Sequence, residues 1–278
     1  MTHRRPPQSP LPAEEEALAR HREALRQRFP MPEPTPRKPR KPLLAVGLLL
    51  AVGAALGWLD PSYREEHYAS PLGQTRTLQL ADGSQVQLDS GTRLTVSWHL
   101  RSRRMQLDAG QALFDISRTM LRPLQVSAGT ARIRVLGTRF NVLREGDDAR
   151  VALLRGSVDL ASLRDPTQHV QLAPGQQAQV RGGQLQPVTR VDVDALLAWQ
   201  QQRLVFQRTP LAEALAQIRR YRAAPVVLDD PRLATLPISG VFNSGNVEQL
   251  LDLLPQILPL QIARGDDGSV HLSGRAKK

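Results

Sequence analysis

Residues whose side chains could carry out chemistry are few in this sequence and lie far apart. There is no cysteine, which excludes thiol nucleophiles, thiolate metal ligands and disulfides. The nucleophile pattern G-x-S-x-G, the zinc pattern H-E-x-x-H and the phosphate-binding P-loop are also absent. The paired aspartates, at 147–148, 229–230 and 266–267, lie in predicted turns. The six histidines, which show no metal-ligand spacing, are His3, His21, His67, His99, His169 and His271. The sequence therefore predicts no enzyme active site, cofactor or metal.

The chain is basic, with 37 Lys and Arg against 26 Asp and Glu in 278 residues, a net charge of +11. Residues 1–42 alone have a net charge of +5, so much of the excess lies in a short N-terminal segment. The remainder contains no dense basic stripe with interleaved aromatic residues, which a nucleic-acid surface would require. We therefore expect no nucleic-acid partner.

Residues 43–59 read LLAVGLLLAVGAALGWL, an apolar run that predicts a single membrane-spanning helix. Seventeen residues rise about 26 Å, slightly less than the roughly 30 Å hydrocarbon core. A buried core helix and a cleaved signal peptide are the alternatives, but the run has no polar face and its leader is long. Trp58 fits an interfacial anchor, and Gly53 and Gly57 form a GxxxG pair that would let two helices approach closely. The basic residues before the run, which predict a cytoplasmic N-terminus, are Arg37, Lys38, Arg40 and Lys41.

The proline-rich segment 1–42 has room for one helix, over residues 13–29. Leu18, Leu25 and Phe29 form a thin apolar edge on this helix. A helix of this length is marginal in water by itself. It is either a helix that folds onto a protein partner or a solvated spacer.

Beyond a linker at 60–76, residues 77–183 follow a period of two and are punctuated by turn residues. The first hairpin turns at Ala81–Ser84, and a further turn is predicted at Ala109-Gly110. Many short strands at this spacing predict an antiparallel β-sandwich or roll. The fold class is therefore mainly β, anchored to the membrane by the predicted helix.

A connector at 184–203 leads to a small α+β module at 204–272, followed by a basic tail at 273–278. The module shows a βαβ–βαβ order. Its two helices are predicted from apolar residues at helical spacing near 211–221 and 247–254. Its last two strands form a predicted hairpin across 265–268.

Motifs spread over residues 70–272 resemble FecR-type membrane regulators. The β-domain motifs are Leu78–Ser84, Gly110–Ile116, Val135–Val142, Leu154–Val158 and Leu172–Gln176. The C-terminal module resembles both the C-terminal half of FecR-type regulators and the short N-terminal domain of secretins and TonB-dependent receptors. The motifs that carry the resemblance to the secretin and TonB short domain are Pro210–Leu215, Ile238–Phe242 and Val247–Leu251. Those that carry the resemblance to the C-terminal half of FecR-type regulators are Trp199, Leu204, Phe206, Pro210-Leu211 and Arg220-Tyr221.

The resemblance implies a regulator in the inner membrane, with its N-terminus in the cytoplasm and its C-terminus in the periplasm. Its implied periplasmic partner is the signalling domain of a TonB-dependent outer-membrane receptor that carries iron or a siderophore. Its implied cytoplasmic partner is an extracytoplasmic-function sigma factor, which it inhibits or activates. Envelope proteases are implied in releasing the cytoplasmic tail.

The family resemblance also implies self-cleavage between Gly137 and Thr138. A glycine has no Cβ to shield its carbonyl, so the Thr138 hydroxyl could attack the Gly137 carbon and convert the amide to an ester. The alternative is a structural role, in which Gly137 permits a bulge and Thr138 forms a local hydrogen bond.

The predicted cytoplasmic tail differs from that of FecR-type regulators. The tail has space for one helix and contains no tryptophan, whereas family members carry several helices. Three roles for the tail stay open, namely inhibition of the sigma factor, its activation after release, and binding of another partner. A different class of function is a structural or assembly protein of the envelope that oligomerises through its secretin-like module.

Overall fold

The computed structural model describes residues 13–29, 42–118 and 122–275. The chain divides into two compact units, residues 1–53 and 54–278. Helix α1 covers Ala13–Arg28, as the sequence predicts, and helix α2 covers Pro42–Leu59. Among the described residues, we find no helix that combines the length and the apolar character needed to cross a membrane. Anchoring through residues 43–59 therefore stays a prediction.

Fourteen strands of the described chain form one curled sheet, which encloses the core of a β-domain. The first seven strands are β1 (Ser62–Ala69), β2 (Arg76–Gln79), β3 (Gln85–Leu88), β4 (Arg93–His99), β5 (Arg103–Asp115), β6 (Leu124–Ala128) and β7 (Ala131–Val135). The others are β8 (Arg139–Glu145), β9 (Asp148–Arg155), β10 (Val158–Ser162), β11 (His169–Leu172), β12 (Gln176–Arg181), β13 (Gln184–Leu185) and β14 (Thr189–Arg190). The mainly β class is confirmed, and so is the β2–β3 hairpin.

Strand β5 explains how the sheet curls. Its first half pairs with β4 and β6, and its second half pairs with β3 and β8. Gly110 lies where the partners change and has a φ of +87°, a conformation that favours glycine. The turn predicted at Ala109-Gly110 is therefore wrong: the glycine bends a continuous strand instead of ending it. The β5–β6 pairing is parallel, an exception within the expected antiparallel sheet.

Strand β1 lies in the segment 60–76, which the sequence predicts to be a linker, so that prediction is wrong for Ser62–Ala69. The strand pairs with β4 at the edge of the sheet. Its side chains are mostly exposed, and an edge strand of this kind lacks the apolar alternation that reveals a half-buried strand.

The core of the β-domain is built from the inward-facing residues of both halves of the sheet. The rings of Phe114 on β5 and Phe140 on β8 stack with centroids 5.0 Å apart, and both are fully buried. Because these residues lie opposite each other in the β5–β8 register, the stack holds the two strands in that register.

The C-terminal module has the predicted order of strands and helices. A short connector helix, α3 (Val193–Leu197), leads into it. Its elements are β15 (Arg203–Pro210), α4 (Leu211–Arg219), β16 (Val226–Leu228), β17 (Pro237–Asn243), α5 (Val247–Ile257), β18 (Leu260–Arg264) and β19 (Val270–Gly274). Strands β15 and β17 form an antiparallel pair, whereas β16, β19 and β18 form a separate three-stranded sheet. The predicted final hairpin is β18–β19.

Helices α4 and α5 bury their apolar faces in one core. The Asn246 side chain accepts a hydrogen bond from the Gln249 backbone N–H at 3.3 Å and so caps α5. The apolar spacing in the sequence therefore predicted the correct buried faces, including Leu215, Leu250 and Leu254.

Candidate functional site

The apolar edge predicted on α1 is exposed to solvent. The exposed fractions of Leu18, Leu25 and Phe29 are 67%, 55% and 70%. Phe29 follows the helix, and its backbone N–H donates to the Leu25 carbonyl at 2.9 Å. Three large apolar side chains that face water at helical spacing form a surface suited to a protein partner.

The other predicted N-terminal residues lie on or before α2. Gly53 and Gly57 both lie on the helix, and a Cβ added at either glycine would meet nothing within 4 Å. Trp58 is 85% exposed. The four basic residues predicted to orient the chain lie outside the described residues, and they are Arg37, Lys38, Arg40 and Lys41.

Gly137 and Thr138 lie in the short connection between β7 and β8. Gly137 has a φ of +154°, and a Cβ added there would lie 2.8 Å from the Arg118 Cα. Thr138 is buried, and its hydroxyl donates to the Ser157 carbonyl at 2.9 Å. Gly156 lies against this peptide, because a Cβ added to it would lie 3.0 Å from the Gly137 oxygen. The Gly137 backbone thus requires a glycine, and the adjacent Thr138 hydroxyl is held by a hydrogen bond. This geometry is compatible with self-cleavage and with a purely structural role.

A cluster of polar residues joins the β-domain to the C-terminal module, and the sequence analysis singled out neither Asp89 nor Ser90 among them. We call this cluster the domain contact, formed by Asp89, Ser90 and Gln111 of the β-domain and by Arg220 and Tyr221 of the module. The Tyr221 hydroxyl donates to the two Asp89 carboxylate oxygens at 3.0 and 2.8 Å. The Ser90 hydroxyl donates to the Arg220 carbonyl at 2.6 Å, and Arg220 Nη1 donates to Gln111 Oε1 at 2.7 Å.

Local structure holds each member of the domain contact in place. Asp89 follows directly after β3, and its backbone N–H donates to the Gln111 carbonyl on β5 at 2.9 Å. Tyr221 lies just beyond the end of α4, where its N–H donates to the Ile218 carbonyl at 3.0 Å. A second bridge, from Gln200 Nε2 to Gln87 Oε1 at 2.6 Å, lies at the connector. Backbone hydrogen bonds therefore hold Asp89 and Tyr221 in place on both sides of the contact.

Burial dominates the electrostatics of the domain contact. Asp89 is 1% exposed, and burial raises the pKa of its carboxyl above the ordinary value of 3.8, with Arg220 opposing this rise. Burial and the adjacent Asp89 carboxylate also raise the pKa of the Tyr221 hydroxyl. Tyr221 therefore remains a hydrogen-bond donor across the ordinary pH range, because its phenol does not ionise there.

Some residues of the domain contact were part of a recognised sequence motif. Arg220-Tyr221 is among the motifs that carry the resemblance to FecR-type regulators. The local sequence around Asp89 does not predict its contact with Tyr221, because the two residues are 132 positions apart. Within the described ranges, no three His, Cys, Asp or Glu residues form a group that could hold a metal ion.

Comparison with known families identifies the chain. A model described as FecR protein matches residues 66–159, and one described as FecR, C-terminal, matches residues 203–271. This chain belongs to the FecR family. The predicted resemblance to FecR-type regulators is confirmed, and family membership agrees with a regulatory rather than a catalytic role. The domain contact therefore joins the two regions that match the FecR models.

Solved structures share the fold of this FecR-family chain. Two crystal structures of a candidate anti-sigma factor from Parabacteroides distasonis match it with a TM-score of 0.66 and 23% identity. They cover 77% and 76% of this chain and the whole of their own chains. At this identity the likeness concerns the fold alone. No curated protein gives a significant match.

Proposed function

We propose that this FecR-family chain is a single-pass anti-sigma regulator of the inner membrane. It relays the ligand-loaded state of a TonB-dependent receptor in the outer membrane to an extracytoplasmic-function sigma factor. Residues 1–42 lie in the cytoplasm, and the β-domain and C-terminal module lie in the periplasm. The observation that carries the proposal is the buried domain contact between the two FecR parts, because a signal received by one part needs a physical link to the other.

The membrane anchor is α2. Its exposed apolar side chains, among them Leu48, Leu49 and Leu50 at 67%, 72% and 69%, suit a lipid environment. Trp58 lies near the end of the helix, where an interfacial aromatic residue is expected. Two copies of the chain can pack closely along Gly53 and Gly57, because small residues allow helix backbones to approach.

The sigma factor binds the exposed apolar edge of α1. Leu18, Leu25 and Phe29 provide large apolar contacts that water would otherwise surround. A single helix covers less of a sigma factor than several helices do. We therefore expect this tail to act mainly after release from the membrane, when it accompanies the sigma factor as an activator.

The receptor signalling domain binds the C-terminal module by adding a strand to β17. This strand pairs with β15 on one side and belongs to a sheet of only two strands within the described residues. Val241 on β17 is 61% exposed. An exposed edge with an apolar side chain favours strand addition by a partner, because the partner satisfies the free backbone groups.

Self-cleavage at Gly137-Thr138 prepares the chain for the envelope proteases that release the tail. The Thr138 oxygen attacks the Gly137 carbonyl carbon, the C–N bond breaks, and the hydroxyl proton passes to the amide nitrogen, which becomes a free amine. Water then hydrolyses the ester. The positive φ of Gly137 supports this proposal, since backbone conformations of this kind concentrate at reactive sites.

The relay is tested by affinity purification from solubilised membranes, with a tag at each terminus in turn. We expect a sigma factor with the N-terminal tag and a TonB-dependent receptor with the C-terminal tag. Recovery of copies of the chain alone would contradict the relay and favour an assembly role for the module.

A matched pair of variants sharpens the test in the cytoplasm. Leu25→Glu places a charge on the apolar edge of α1, whereas Gln27→Glu places the same charge on the opposite face. Both positions are exposed, so neither change disturbs a core. Sigma-factor recovery should fall at least about tenfold with Leu25→Glu and stay at the parent level with Gln27→Glu. Equal recovery with the two variants would rule out the α1 surface.

A further inference from the structure

A cavity of about 450 Å³ lies between the β-domain and the C-terminal module. Its walls come from β8, β9 and β12 on one side and from α3, β15 and α4 on the other. Small-molecule sites fall in this size range and occur preferentially where two domains meet. This cavity is separate from the β17 edge and from α1, which the proposed relay uses.

Two buried donors on the cavity lining have no acceptor. Trp199 is 3% exposed, and its indole Nε1 finds no hydrogen-bond partner in the described part of the chain. Arg220 donates to Gln111 through Nη1, but its buried Nε is likewise unpaired. Buried donors in folded proteins are almost always satisfied, so two unpaired donors within residues of one lining favour a ligand that offers an acceptor there.

The charged residues on the lining differ in depth. The three acidic side chains, Glu145, Asp192 and Glu213, are all exposed. Of the four basic side chains, Arg181 and Arg203 are exposed as well, whereas Arg150 and Arg220 are half-buried. The half-buried charged residues of the lining are therefore both basic, which favours an anion over a cation.

Arg150 is available for a ligand. It lies on β9, and its guanidinium group has neither a hydrogen bond nor an ion pair among the described residues. A half-buried guanidinium group without a partner binds a carboxylate well, because its N–H groups match the two carboxylate oxygens.

The wall also carries apolar side chains, beside polar ones such as Asn141, Gln177 and Gln217. Leu143, Ala152, Leu196 and Leu204 line the cavity from both domains, together with the Trp199 ring. A ligand that fills this space needs an apolar body next to its acceptor group.

We propose that this cavity binds a small carboxylate with an apolar body. Arg150, Trp199 and Arg220 hold the carboxylate, and the aliphatic wall holds the body. Because both domains supply the walls, the bound ligand stabilises their docking. The FecR-type chain thus senses a small molecule directly, in addition to any protein partner.

Calorimetric titration of the purified full chain tests this proposal, with hexanoate as the probe and hexanol as the uncharged match. Arg150→Gln removes the free guanidinium, and Trp199→Phe keeps a ring but removes the donor. Arg134→Gln makes the same charge change at an exposed position outside the cavity. Circular dichroism verifies that each variant is folded.

We expect saturable binding of hexanoate with one site per chain and no saturable binding of hexanol. Arg150→Gln should weaken binding about tenfold or more, Trp199→Phe should weaken it to a smaller extent, and Arg134→Gln should leave it unchanged. The proposal is overturned if hexanoate gives no saturable heat or if hexanol binds as tightly. It is also overturned if folded Arg150→Gln binds hexanoate like the parent.

Discussion

The Tyr221 hydroxyl donates to both carboxylate oxygens of Asp89, at 3.0 and 2.8 Å, across the boundary between the two FecR domains. Both residues are almost fully buried. A buried carboxylate is costly unless it is hydrogen-bonded. If the C-terminal module moved away and no water entered, the Asp89 carboxylate would lose its hydrogen bonds from Tyr221. The pair therefore couples the position of the C-terminal module to the β-domain.

Tyr221→Phe should destabilise the chain by about 1–3 kcal/mol, because it removes the side-chain donor of the buried Asp89 carboxylate while it keeps the aromatic ring. Denaturant unfolding of the full chain, followed by circular dichroism, measures this loss. Tyr63 is 60% exposed, so Tyr63→Phe removes the hydroxyl of a solvent-facing residue and should change the free energy of unfolding by less than about 0.5 kcal/mol. Equal losses of the free energy of unfolding for the two variants would show that the hydrogen bond from Tyr221 to Asp89 does not stabilise the chain.

Asp89→Asn should change the pH dependence of stability. Burial raises the pKa of Asp89, so the folded chain retains this proton at pH values where the unfolded chain loses it. The resulting stability is fully present below about pH 3.8 and is lost as the pH rises through the raised pKa. The free energy of unfolding of Asp89→Asn, relative to the parent, should therefore rise as the pH increases above this value.

Asp165→Asn is the control for this measurement because the sign is opposite. Hydrogen bonds from Thr167 and Gln168 lower the pKa of the partly exposed Asp165 carboxyl. Its contribution is present above the ordinary value and is lost as the pH falls, so the stability of Asp165→Asn relative to the parent should fall as the pH rises. Parallel curves for the two variants would contradict the burial argument for Asp89.

Gly110→Ala should be strongly destabilising. The φ of +87° strains any residue with a Cβ, at a cost of about 1–2 kcal/mol. The new Cβ would also lie only 2.8 Å from the Thr92 Cα, and this overlap adds about 1–3 kcal/mol. Gly146→Ala separates the two effects, because Gly146 has a φ of +61° but open space around it. Thermal unfolding should show a larger loss at Gly110; an equal loss would mean that the overlap with Thr92 is relieved at no cost.

Self-cleavage predicts a fragment that begins at Thr138. Mass spectrometry of the purified chain should detect this N-terminus in the parent and in Thr138→Ser, which keeps the hydroxyl. Thr138→Val keeps the shape but lacks the nucleophile, and it should remain intact. Cleavage of Thr138→Val at the parental rate would exclude the hydroxyl mechanism and leave Thr138 with its structural hydrogen bond to Ser157.

Short-range patterns in the sequence predicted the features that depend on neighbouring residues. The β2–β3 hairpin, the order of elements in the C-terminal module and the buried faces of α4 and α5 all follow from periods and turns of a few residues. The FecR resemblance was also readable, because its motifs occur in order along the chain. These signals are local, and the hydrogen bonds and apolar faces that produce them form within or between adjacent elements.

Tertiary packing decided the remaining features. Gly110 is a turn residue by its local sequence, but pairing with four strands makes β5 continuous through it. Strand β1 exists because β4 offers it backbone partners, and its own side chains give no alternation. The Asp89–Tyr221 pair joins residues 132 positions apart. Arg150 of the β-domain and Trp199 beside the C-terminal module likewise line the same cavity. Such contacts depend on how whole elements dock, and no local pattern encodes which distant side chains that docking brings together.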